Sequence, residues 1–277
     1  MAHKMGHKEA TLLIPGNMTE PAAKTISAHV NAIEKDFASA YLRASFAATE
    51  SVEADAERRE KTKRLIKNSD EFHILLDMND PDTLFYLGVA FAYGKKIMPI
   101  GEIDRTPKKS FQNVIIDISR EFEKSGLLKT PVNYGNRWTA GTRAYICCPV
   151  RDADKEQVAF LKGLALGMRF GEMNVHYPAE NTDQIDDRGI DICRQNGYAI
   201  KEADMVFLVY DPTSKGTRFD LGIAFALDKP LTLVNVDQVI AAEKNGDRFA
   251  SFLLNWAQPT LKDTLKLQEA SKVVKRK

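Results

Sequence analysis

An internal repeat constrains the fold of this chain more than any other feature of its sequence. Asp82-Thr-Leu-Phe-Tyr-Leu-Gly-Val-Ala-Phe-Ala92 returns 134 residues later as Gly216-Thr-Arg-Phe-Asp-Leu-Gly-Ile-Ala-Phe-Ala226. Carried without gaps from Ile66–Lys95 onto Ile200–Lys229, the same offset gives 12 identities in 30 positions. It also lays Leu12-Leu-Ile-Pro15 on Ile146-Cys-Cys-Pro149. The repeat predicts a tandem duplication, with a first unit over 1–125, a linker over 126–141 and a second unit over 142–277. The linker holds Thr130-Pro-Val-Asn-Tyr-Gly-Asn-Arg-Trp138, with turn-forming Pro, Gly and Asn. The second unit ends in the basic tail Lys272-Val-Val-Lys-Arg-Lys277, read as solvated and frayed. A length of 277 residues suits two domains or one large one.

Periodicity sets the fold class. Arg143–Pro149, Met173–Tyr177, Met205–Tyr210 and Pro230–Val236 read as strands, and Met205–Tyr210 is the uninterrupted apolar run of a central parallel strand. Val158, Leu161, Ala165 and Met168 recur at helical spacing within Lys155–Met168. Asp186–Glu202 is a second helix, and Phe219, Gly222, Ile223 and Ala226 give a third that starts near Thr217. Strand and helix alternate, so each unit is expected to be a doubly wound, flavodoxin-like or Rossmann-like α/β unit with an open parallel sheet.

Charge and cysteine content exclude several function classes. Lys plus Arg total 39 against 38 Asp plus Glu, which argues against a surface that holds nucleic acid or anionic membrane by bulk charge. No apolar run approaches the roughly 18–20 residues of a membrane span, and the first residues lack the apolar core of a secretory signal. Three cysteines, two of them adjacent, do not make a disulfide framework. A cytoplasmic location is expected. No Cys/His spacing suggests zinc, no acidic cluster suggests another metal, and no cofactor is expected; His3 and His7 have no ligand partners in sequence.

In an open parallel sheet, ligands bind beyond the carboxyl ends of the strands. Three loops of the second unit fit: Pro149-Val-Arg151, the stretch at Tyr177, and Asp211-Pro-Thr-Ser-Lys-Gly-Thr217. The last suits an anion at a helix N-terminus, but it lacks the phosphate-loop pattern of nucleoside triphosphatases. Asp220 follows it. Its position alone allows two readings: a first-turn carboxylate that complements the helix dipole, or an ionised carboxylate in a ligand crevice that serves as nucleophile or oxocarbenium stabiliser. Cys148 reads as a small buried apolar residue; His176, beside Tyr177, reads as an exposed or structural histidine, with a position facing the site as the alternative.

The order Tyr145-x-x-x-Pro-x-Arg151, then Ile200-Lys-x-Ala-Asp204, then Ser214-x-Gly-Thr-x-x-Asp-Leu-Gly-x-Ala224 resembles the nucleoside 2-deoxyribosyltransferase family. That family includes hydrolases of the N-glycosidic bond of nucleoside 5′-monophosphates. The resemblance implies a glycosyl-enzyme mechanism in which a carboxylate attacks the anomeric carbon. Asp220 matches the nucleophile, which is a Glu in the family, and Tyr145 matches the residue that orients it. Arg151 and Ser214, with Gly216 and Thr217, match the phosphate-holding loops. Asn196 stands where the family places an acid near the base, and Asp191 and Tyr177 are further candidates.

At the 134-residue offset the first unit has Tyr86 for Asp220, Asp80 for Ser214, Asn17 for Arg151, Thr62 for Asn196 and Thr11 for Tyr145. It is therefore expected to keep the fold and to have lost this chemistry. Family members work as homo-oligomers, so the fused copy is expected to act as the neighbour, giving an intrachain pseudo-dimer; a further homodimer of chains is compatible with this. The expected function is hydrolysis or transfer at the N-glycosidic bond of a nucleoside 5′-monophosphate or deoxynucleoside. Two alternatives stay open: a non-catalytic nucleotide-binding protein, and a glycohydrolase of a dinucleotide such as NAD.

Overall fold

The computed structural model describes residues 9–14, 19–33, 39–44, 52–78, 80–121, 141–151 and 153–259. Of the linker only Gly141 is among them; His3, His7, Asn17 and the basic tail lie outside the described residues. Strand and helix alternate as expected. The first unit runs β1 (Glu9–Ile14), α1 (Glu20–Ile33), β2 (Ser39–Ala44), α2 (Val52–Asn68), β3 (Glu71–Ile74), α3 (Pro81–Ala92), β4 (Lys96–Pro99) and α4 (Phe111–Glu121). The second runs β5 (Arg143–Cys147), α5 (Lys155–Phe170), β6 (Asn174–His176), α6 (Pro178–Asn181), α7 (Ile190–Glu202), β7 (Met205–Leu208), α8 (Lys215–Ala226), β8 (Leu231–Leu233) and α9 (Val236–Lys244), with a further helical stretch at 248–259.

Both units are open, fully parallel sheets with the same strand order, β2-β1-β3-β4 and β6-β5-β7-β8. Residues retained at the 134-residue offset make the same bonds in each. Asp70 accepts from the backbone N–H of Glu9 at 2.9 Å, and Asp204 accepts from that of Arg143 at 2.8 Å, which ties the first strand of each sheet to the turn before its third. Lys95 donates to the carbonyls of Lys67 and Ser69, and Lys229 to those of Lys201 and Ala203, all at 2.6–2.7 Å. Each lysine thus meets carbonyls that a helix C-terminus leaves unpaired.

The units join through α3 and α8, which cross antiparallel in one shared apolar core. A methyl group on Gly88 would collide with the Phe219 carbonyl, and one on Gly222 with the Phe85 carbonyl. Only glycine permits so close a backbone approach. Phe85 packs on Phe225 with ring centroids 5.4 Å apart, and Phe91 on Phe219 at 5.2 Å. Every one of these contacts maps onto another at the repeat offset, so a local two-fold passes through the crossing.

Element boundaries differ from the sequence reading where side chains replace backbone bonds. The helix expected from Asp186 begins at Ile190, because the Asp186 carboxylate accepts from the N–H groups of Arg188, Asp191 and Ile192 and holds a turn before it. The strand expected to reach Val236 stops at Leu233; Asn235 pairs its amide with both backbone groups of Tyr210, and Val236 opens α9. Among the described residues no helix is long and apolar enough to cross a membrane.

Candidate active site

Ser214 fixes where α8 begins. Its hydroxyl accepts from the Thr217 N–H and shares a 2.7 Å hydrogen bond with the Thr217 hydroxyl, so it caps the helix and Lys215 is the first helical residue. The helix therefore starts two residues earlier than expected. Asp220 falls in its second turn, where the dipole is weaker, so the expected first-turn placement is corrected. The residue is 6% exposed, and burial pushes its pKa up from 3.8 to about 7, against the downward pull of hydrogen bonds from Tyr145 and Asn196.

Both of those bonds reach the same oxygen. The Tyr145 hydroxyl donates to Asp220 Oδ2 at 2.6 Å and the Asn196 Nδ2 donates to it at 3.1 Å. Among the described residues no hydrogen bond is made to Oδ1, and Asp220 lines a cavity of about 420 Å³. Burial and the Asp220 charge hold the Tyr145 phenol far above its ordinary pKa, so it stays a donor. Behind Asn196 the chain of bonds continues. The Thr182 hydroxyl donates to Asn196 Oδ1 at 2.7 Å, and His176 Nε2 lies 3.0 Å from that hydroxyl oxygen. Because Thr182 spends its proton on Asn196, His176 must donate, which assigns the proton to Nε2. Burial lowers the His176 pKa to about 4, which keeps the ring neutral in that role. The ring also stacks on Tyr145 at 5.4 Å and 13°. The five side chains Asp220, Tyr145, His176, Thr182 and Asn196 thus close a loop that fixes the Asn196 amide with its N–H toward the carboxylate.

Thr182 was not expected in this assembly, and His176, read first as exposed or structural, is buried and takes its alternative place beside the site. A His followed by an aromatic at the end of a predicted strand was the one signal available, and Thr182 follows the short α6, which periodicity does not reveal.

The other expected residues divide. Arg151, Ser214 and Gly216 line the cavity with Asn196 and Asp220. Arg151 Nη1 donates to the Lys109 carbonyl at 3.1 Å, which braces its exposed guanidinium across the two units. Thr217 is buried beside Ser214, and Tyr145 lies behind Asp220; neither lines the cavity. Tyr177 packs with Ile146, Cys148 and Leu161 in the core on the far side of the sheet from α8. Asp191 is held by Arg194 at 3.0 Å, away from the lining, because the five-residue step to Asn196 carries it about 140° around the helix. Cys148 and Cys193 do line the cavity, yet burial raises both thiol pKa values, so neither is an activated nucleophile.

The first unit supplies the remaining wall through Met78, Lys109, Ser110, Phe111, Gln112 and Val114. Its own equivalent position is filled. At the repeat offset Arg59 replaces Cys193 and Asp82 replaces Gly216. Arg59 is clamped by Asp55 at 3.0 Å and Asp82 at 2.8 Å, and the Phe252 ring covers its guanidinium at 4.6 Å. Tyr86, at the Asp220 position, is fully buried beside it.

No curated protein and no solved structure matches the chain closely enough to count as similar. A family model, nucleoside 2-deoxyribosyltransferase, matches residues 144–251, a span that holds Tyr145, Arg151, Asn196, Ser214 and Asp220. With its parallel sheet and its carboxylate at the cavity wall, the second unit is similar over those residues to the nucleoside 2-deoxyribosyltransferase family.

Proposed function

We propose that the second unit breaks the N-glycosidic bond of a nucleoside 5′-monophosphate or deoxynucleoside, with Asp220 as the attacking carboxylate. The observation that carries this reading is the division of labour on Asp220: Oδ2 is held by Tyr145 and Asn196, while Oδ1 carries no bond from any described residue at the wall of the cavity. Oδ1 attacks the anomeric carbon as the bond to the base breaks, and the base leaves with the electron pair. Water, or an acceptor base, then attacks the same carbon and frees the carboxylate. Asn196 holds the nucleophile and has no proton to give the departing base, so that proton comes from elsewhere. Arg151 and Ser214, with the backbone at Gly216, receive the 5′-phosphate at the start of α8, and Thr217 holds Ser214 in place. The first unit, read as a copy that has exchanged this chemistry for the Arg59–Asp82 pair, closes the cavity in the place of a neighbouring subunit.

A second reading, a nucleotide-binding protein without turnover, is favoured by the elevated pKa of Asp220 together with an amide at position 196. Incubation with a panel of nucleosides, monophosphates and NAD, followed by chromatography for free base, separates the two. Base released from a monophosphate supports the glycosidase. Tight binding by calorimetry with no base from any panel member supports the binding protein.

A further inference from the structure

Helix α5 presents on the outside of the molecule the packing motif that joins the two units inside it. On α3 that motif is Phe85-x-x-Gly88-x-x-Phe91, and on α8 it is Phe219-x-x-Gly222-x-x-Phe225. The two glycines meet at the crossing, and the phenylalanine before each glycine packs on the one after the other. Helix α5 carries Phe160-x-x-Gly163-x-x-Leu166, extended by Gly167-x-x-Phe170. Its inner face is buried through Leu161 and Ala165, while Phe160, Leu166 and Phe170 are 49%, 52% and 81% exposed. These are three of the four exposed large hydrophobic side chains among the described residues. A methyl group on Gly163 or Gly167 would meet nothing within 4 Å, so the shallow groove at the glycines is open to a second helix.

We infer that this face is an interface between two copies of the chain, paired antiparallel through α5 about a two-fold axis at Gly163. The α3–α8 crossing supplies the geometry: Gly163 meets the same glycine of the other copy, and Phe160 packs on its Leu166, as Phe85 packs on Phe225. The antiparallel sense opposes the two helix macrodipoles, while Arg169 stays paired with Glu180 of its own chain at 2.8 Å. A self-complementary face of this kind needs no second surface, and a two-fold pairing closes it. A single helix pair is a small interface, so the dimer forms in the micromolar range, on the order of 1–100 μM. The interface lies on α5, apart from the cavity residues, and does not depend on the proposed function.

Sedimentation equilibrium of the full chain from about 1 to 200 μM tests it. The wild type should pass from 31.0 kDa toward twice that mass, and Gly163→Arg should remain at 31.0 kDa with an unchanged circular dichroism spectrum. Leu166→Lys provides the same test should the arginine disturb the helix. Under mild oxidation Gly163→Cys should form a disulfide-linked dimer, while Lys155→Cys at the helix start should not. A wild type that stays at 31.0 kDa throughout overturns the proposal and leaves the face to a different partner. A dimer that survives both Gly163→Arg and Leu166→Lys also overturns it, because the copies then meet elsewhere.

Discussion

Asn196 donates its amide N–H to Asp220 Oδ2, the oxygen that the Tyr145 hydroxyl already serves. Two donors on one oxygen orient the carboxylate without occupying the other. Asp220→Asn should therefore abolish release of free base while nucleotide affinity stays within a few-fold, because shape and most hydrogen bonding persist. Tyr86→Phe, the matching change in the first unit, should leave turnover nearly unaltered. Base release and calorimetry on both variants check this; undiminished turnover in Asp220→Asn would remove Asp220 from the mechanism.

The same substitution should stabilise the protein. Asp220 has a folded pKa of about 7 against 3.8 unfolded, so its contribution is fully present below pH 3.8 and is lost as pH rises through 7. At 1.36 kcal/mol per unit the loss above pH 7 is on the order of 4 kcal/mol, which an amide does not incur. The Tm difference between Asp220→Asn and wild type should grow from pH 4 to pH 8. A constant difference would mean that the carboxyl does not titrate in that window.

The pH dependence of catalysis follows from the same group with the opposite benefit. Attack requires the ionised carboxylate, so kcat/KM should rise tenfold per pH unit below about 7 and level off above it. A profile flat between pH 5.5 and 8.5 contradicts Asp220 as the group that must lose its proton.

Substrate form is set by Arg151 and Ser214. A charge-assisted bond to phosphate contributes roughly 1.5–3 kcal/mol, so Arg151→Ala should raise KM for a 5′-monophosphate roughly 10- to 100-fold and leave the parent nucleoside little changed. Equal turnover of the two forms by the wild type would refute phosphate recognition.

The first unit should be felt in the kinetics of the second. Gln112 lines the cavity from α4, so Gln112→Ala should raise KM by roughly 3- to 10-fold with kcat less affected. The join between units offers a structural counterpart. Gly222→Ala places a methyl group on the Phe85 carbonyl and should cost roughly 3 kcal/mol, read from denaturant unfolding.

The fold was legible because its signals are local and periodic. Met205–Leu208 announces a central strand by being apolar throughout, and Phe219 to Ala226 announce a helix by spacing. The site was legible where motifs sit at strand ends and a helix cap, as at Tyr145, Arg151 and Ser214. What escaped depended on long-range packing. The pKa of Asp220 is set by burial that no local pattern encodes. Thr182 joins the network through Asn196, 14 residues away, and Asp191 was a candidate because helical spacing gives its neighbourhood but not which way it turns.

The local two-fold at Gly88 and Gly222 has a consequence for dilution. A cavity walled by a separate subunit dissolves as protein concentration falls below the dissociation constant of the pair. Here Lys109–Gln112 and Asp220 are borne by one polypeptide, and their meeting is intramolecular. Specific activity should hold constant down to concentrations at which any two chains have long since parted.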